Sequence, residues 1–108
     1  MKTLNIETTN GIKKEVEVYF NSLPSGHGHY KITCTASFEG YKKDFVKTTN
    51  DMPWIDSLSE FKYENDPSFD DLTEFYFEKF GDYFEMYYIN DWVQEVVEEE
   101  EIKEMILR

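Results

Sequence analysis

The sequence predicts an α+β fold: a four-stranded antiparallel β-meander over residues ~2–48, covered by two or three C-terminal helices. Three observations carry this expectation. Apolar and polar residues alternate with a period of two through much of the first 49 residues, around two hairpin signals. From residue 50 onward the apolar positions recur with helical spacing instead. The charge divides at the same place: residues 1–50 hold seven lysines and five acids (+2), whereas residues 51–108 hold 18 of the 23 acids against Lys62, Lys79, Lys103 and Arg108 (−14). With 108 residues, 40% of them hydrophobic and 18% aromatic, the chain can bury one core despite a net charge of −12. A single domain is expected, residues 1–49 forming its sheet half and residues 50–108 its acidic helical half.

The first hairpin turns at Asn10-Gly11. A two-residue turn would oppose Ile6 to Glu15 and Leu4 to Glu17, wasting the apolar face. A three-residue loop of Thr9, Asn10 and Gly11, with the glycine in the left-handed region, puts Leu4 and Ile6 on one face with Ile12, Val16, Val18 and Phe20. The second hairpin carries Tyr30, Ile32, Cys34, Ala36 and Phe38 on its core face. A tight Glu39-Gly40 turn then pairs Phe38 with Tyr41 and Cys34 with Phe45. Between the hairpins, residues 21–28 ("NSLPSGHG") read as a loop. The other face of the sheet is polar, and the apolar face needs a cover.

Asn50 or Asp51 caps a short first helix, with Pro53 in its first turn and Trp54, Ile55, Leu58 and Phe61 as its buried stripe. Ser68 caps the next, with Asp71 three residues on. At 100° per residue, Asp70, Asp71, Glu74, Glu78, Gly81, Asp82 and Glu85 gather in one arc, and the apolar residues of the segment fill the remainder. That partition predicts one helix over 68–88 with Gly81 on its wet side. The rival is a helix stopped by Gly81 and a strand at 83–89, since "YFEMYYI" has strong strand propensity. Ile89 falls out of phase, so Asn90 and Asp91 read as caps of a further helix burying Trp92, Val93, Val96 and Val97. Ile102, Met105 and Ile106 then lie nearly opposite Val93 and Val97. Either the helix bends near Glu98–Glu101 and packs locally, or the tail offers a seam for self-association.

No pattern of catalysis is present, and the chain is expected not to be an enzyme. His27-Gly28-His29 supplies two potential zinc ligands where a site needs more, and it reads as a polar loop tip. Cys34 faces the core as a structural thiol. No glycine-rich phosphate loop occurs, and no cofactor or metal is expected. Lone Cys34, no apolar leader after Met-Lys-Thr and no run of 18 apolar residues lead to the expectation of a soluble cytoplasmic protein that avoids membranes. Such acidity also repels nucleic acid and favours a basic protein surface as partner.

The candidate contact residues are Asp70, Asp71, Glu74, Glu78, Asp82 and Glu85, joined by Glu95, Glu98 and Glu99 on the following helix. Repulsion among the first six, through about five like-charge contacts, costs about 1–2.5 kcal/mol, less than burial of the aromatic flank contributes at roughly 1.5–3 kcal/mol per large side chain. A merely solvated face is therefore tolerable. Spacing favours more: six carboxylates over 15 residues give one charge per roughly 4 Å of axis, against one per roughly 3.4 Å along a DNA strand. The expectation is a binding module that imitates nucleic acid and inhibits a basic nucleic-acid-handling protein. In size and composition alone the chain resembles the acidic inhibitors of phages and mobile elements, anti-CRISPR proteins among them. The alternative is a structural protein that assembles, as a homodimer for instance, through surplus aromatics and the apolar C-terminal surface.

Overall fold

The computed structural model describes residues 2–26 and 28–107; His27, half of the histidine pair weighed as a metal ligand, lies outside them. Four strands, β1 (Lys2–Glu7), β2 (Lys13–Gly26), β3 (His29–Phe38) and β4 (Tyr41–Thr49), form an antiparallel sheet in chain order. Helix α1 (Met52–Asn65) follows. Helix α2 (Phe69–Phe84), a π-helical turn (Glu85–Ile89) and helix α3 (Asn90–Leu107) then run on without a break. The expected meander under C-terminal helices is the architecture found.

Both hairpin registers follow from the apolar pattern. Leu4 opposes Val16 and Ile6 opposes Lys14. The Thr8 amide donates to the Ile12 carbonyl at 2.8 Å, closing the three-residue loop, with Gly11 at φ +83°. Phe38 opposes Tyr41 and Cys34 opposes Phe45 across a turn in which Glu39 and Gly40 both have positive φ, the requirement of a tight hairpin whose twist matches its strands. Residues 21–26 differ from expectation. They continue β2 as far as Gly26, opposite His29, with a ladder irregularity at Pro24/Gly26. Since β1 reaches only Val18, this part of β2 is an edge, where a proline is tolerated.

The helices begin as their capping residues dictate. Asp51 accepts the Trp54 amide at 3.2 Å. Ser68 and Asp71 form a reciprocal capping box, Asp71 N–H to Ser68 Oγ at 3.2 Å and Ser68 N–H to Asp71 Oδ2 at 3.1 Å. Asp66, in the left-handed region at φ 42°, ends α1. The rod then lies along the apolar sheet face. Tyr76 is buried and its hydroxyl lies 2.7 Å from Ser22 Oγ, Phe84 packs edge-on against Phe20, and Trp92 stands edge-on to Phe38 and Phe45.

Two expectations about this rod are corrected. Gly81 is buried, not wet, because the Phe77 ring folds over it; a Cβ there would sit 3.1 Å from the ring carbons. Nor do Asn90 and Asp91 cap α3, because Asn90 is itself helical, at φ −56° and ψ −48°. The phase shift at Ile89 is absorbed by the π turn, in which the Asn90 amide donates to the Glu85 carbonyl. One extra residue in the turn rotates the downstream helix by about 100° relative to an unbroken α-helix. Ile89, Trp92, Val93, Val96 and Val97 thereby return to the core. The strand alternative for 83–89 does not occur.

Segments of 16, five and 18 residues make a rod of 39. At 1.5 Å per residue it spans about 58 Å, and the molecule is 57 Å in its longest dimension. Its radius of gyration, 16.4 Å, exceeds the roughly 13 Å of a compact domain this size, because α3 overshoots the sheet. Asn10 Nδ2, in the first hairpin loop, donates to Glu101 Oε1 at 3.0 Å. Beyond that contact Ile102, Met105 and Ile106 are exposed.

Deleting Met86, an exposed π-turn residue, is expected to convert the rod to a regular α-helix with its downstream apolar residues still on the sheet. Urea unfolding should shift by no more than about 1 kcal/mol. Deleting Glu95 instead turns Val96 and Val97 off the core, and the loss should be clearly larger.

Candidate functional site

The outward side of the rod is strongly acidic. Residues 69–107 contain 13 acids and two lysines, Lys79 and Lys103, a net −11 out of the chain's −12. Core residues Thr73, Tyr76, Phe80 and Phe84 fix α2 against the sheet, and helical spacing then turns the acids away. Asp70, Asp71, Glu74, Glu78 and Asp82 are exposed and Glu85 is half-buried. On α3, burial of Trp92, Val93, Val96 and Val97 leaves Glu95, Glu98 and Glu99 exposed. The structure thus brings all nine sequence-predicted residues onto one rod.

They are not equivalent. Asp71 is committed to the capping box, and Glu74 Oε1 lies 3.0 Å from Lys2 Nζ. Glu98 accepts a hydrogen bond from Gln94 Nε2 at 2.8 Å. Among the described residues Glu78, Asp82 and Glu95 have neither an ion pair nor a hydrogen bond from a side chain. Lys79, beside Glu78 in sequence, is engaged by Asp51 at 3.0 Å. That lysine, and then the Trp54 amide, holds the Asp51 carboxyl below its ordinary range. The Glu100 carboxylate near the Tyr41 hydroxyl, followed by burial and the surrounding carboxylates, raises the phenol above its usual value.

Two features escaped sequence reasoning. The π turn places Met86 and Tyr87, both exposed, between the α2 and α3 acids. Further back, α1 docks beside α2 through aromatic rings: Trp54 packs on Phe80 at 4.9 Å, and Phe61 stacks on Phe75 at 4.8 Å and 20°. A shallow groove remains there, lined by Phe61, Phe75, Asp71, Glu74 and Glu78. The signal was present in α2, where Phe75 has acids at −4, −1 and +3, but the facing ring becomes apparent only once α1 is docked.

Other chemistry has little to work with. Cys34 is buried, its thiol pushed up to about 12 by burial and then by Asp44. Among the described residues no cluster of three or more His, Cys, Asp or Glu side chains could hold a metal ion, and no helix is long and apolar enough to cross a membrane. No protein-family model, no curated protein and no solved structure matches the chain.

Proposed function

We propose that this protein is a non-enzymatic binding module whose acidic rod occupies a basic protein surface, in the manner of a nucleic-acid mimic that inhibits a nucleic-acid-handling protein. The observation that supports it is the uninterrupted rod. A fixed row of carboxylates on one rigid helix, with Glu78, Asp82 and Glu95 uncompensated from within, presents a long negative field to a partner. Rigidity matters because charges already held in place need no ordering when the partner docks.

Capture of basic nucleic-acid-binding proteins on the immobilised chain should weaken steeply between low and high salt, and duplex DNA should compete the captured proteins off. Replacing Glu74, Glu78 and Asp82 together by lysine should weaken capture by about tenfold or more with the fold intact by circular dichroism. Capture that ignores salt, DNA and the triple replacement would refute mimicry.

A second reading, self-association, is favoured by one observation: Ile102, Met105 and Ile106 are 56%, 75% and 77% exposed on one stripe of the overshooting helix. It predicts a dimer by sedimentation velocity that withstands salt and dissociates on Ile102→Asp with Met105→Asp. A monomer at all concentrations removes this reading.

A further inference from the structure

We infer that the groove between α1 and α2 receives an arginine side chain of the basic partner. This rests on the acidic-rod reading above and names the contact that gives it specificity. Two adjoining hollows of about 290 and 270 Å³ share Phe75 and Glu78 as lining. The stacked Phe61 and Phe75 rings floor the first, and Trp54 extends the aromatic wall into the second, 6.0 Å from Phe75 between ring centroids. Both Phe61 and Phe75 are half-buried, so each keeps part of its surface open to a ligand.

Chemistry selects the occupant. The rim carries Asp71, Glu74 and Glu78. Lys2 offsets one of these charges through Glu74, and Lys79, which lines the second hollow, has its charge paired with Asp51, so the rim of the first hollow stays net negative and disfavours anions. A purely apolar ligand would leave the carboxylates without a counter-charge. A cation with a flat, weakly hydrated face satisfies both the floor and the rim. Guanidinium is such a group: it stacks on rings while its N–H fork reaches carboxylates, which a compact, strongly hydrated ammonium does less well. The protein already uses related contacts internally, with Lys47 Nζ 4.2 Å from the Tyr83 ring centroid and Lys2 Nζ 5.6 Å from that of Phe77.

The test uses two blocked octapeptides, one alternating arginine with glycine and one alternating lysine with glycine. Each is titrated at low salt into the full chain, and Trp54, on the groove, supplies the fluorescence signal. The arginine peptide should bind about threefold to tenfold more tightly. Phe75→Leu, which keeps apolar bulk and removes the ring, should bring it down to the lysine value. Phe61→Leu should do the same, and serves if the first variant fails to fold. Glu78→Gln should weaken both peptides. Equal binding of the two peptides, or an arginine preference that survives loss of the rings, overturns the groove and leaves the acidic rod standing. No binding of either peptide overturns both.

Discussion

Phe84→Ala is expected to cost about 3–5 kcal/mol of folding stability. Phe84 is fully buried as the last residue of α2. Its ring meets Phe20 of β2 at 5.7 Å, Tyr83 at 5.6 Å and Tyr88 at 5.9 Å. It therefore joins the sheet to the helix just where the π turn begins, and neither side can close inward: the strand is held by its ladder and the helix by its own hydrogen bonds. The cavity would persist, and retained cavities set the upper end of such losses. Against a total of about 5–15 kcal/mol for a domain, this is a large share. Urea unfolding should show the midpoint fall with its slope unchanged. Phe69→Ala is the matched control, because Phe69 is 53% exposed and, among the described residues, its one ring contact is with Tyr19; its loss should stay near 1 kcal/mol. Similar losses for the two would mean that the core is not centred on Phe84.

The features that could be read from the sequence divide from those that could not on whether each is local. Each hairpin register was legible because only one pairing put Leu4, Ile6, Val16 and Val18 on a common face, and a slip by one residue inverts every side chain. The Ser68–Asp71 box and the Asp51 cap were legible because capping acts over three residues. The join at residues 85–90 was not. A new cap and an inserted residue shift hydrophobic phase alike, and Asn90-Asp91 happen to be good capping residues, so periodicity alone could not separate the two. Only the sheet beneath, wide enough to engage both Phe84 and Trp92, makes an unbroken helix with one π turn better than two helices. The strand through Pro24 was hidden for the same reason, since it depends on β1 stopping short and leaving β2 an edge.

The site follows the same division. That the carboxylates face outward was evident from spacing, because burial of every third or fourth residue fixes the opposite side. That their two rows share one rod depended on the π turn. The aromatic groove required α1 to fold back on α2 and bring Phe61 over Phe75, a tertiary contact between residues 14 apart in sequence. The same physics explains how the fold tolerates its charge. The acids lie outside a densely aromatic interface, in water, where screening weakens their repulsion over about 8–10 Å. The interface itself is apolar apart from satisfied groups such as the Tyr76–Ser22 pair.

The second large effect is alkaline. Cys34 is fully buried, and its thiol is raised from 9.0 to about 12, chiefly by burial and secondarily by the Asp44 carboxylate. The folded state thus binds a proton that the unfolded chain releases above about pH 9. Stability from this group is complete below about pH 9 and is lost as pH rises toward about 12. At about 1.4 kcal/mol per unit, the loss amounts to about 4 kcal/mol by about pH 12. Tyr76, raised mainly by burial, acts in the same direction. Cys34→Ala isolates the thiol because the other groups, Tyr76 included, are present in both proteins and cancel in the difference. At neutral pH the alanine variant should be less stable, having lost a buried sulfur from the sheet. Above about pH 9 the gap should narrow and then reverse, the variant becoming the more stable protein. Urea unfolding of both proteins at several values between about pH 7 and 11 decides it. A constant gap across that range would mean that the thiol ionises as easily inside the protein as out, which a site sealed between the sheet and the rod does not permit.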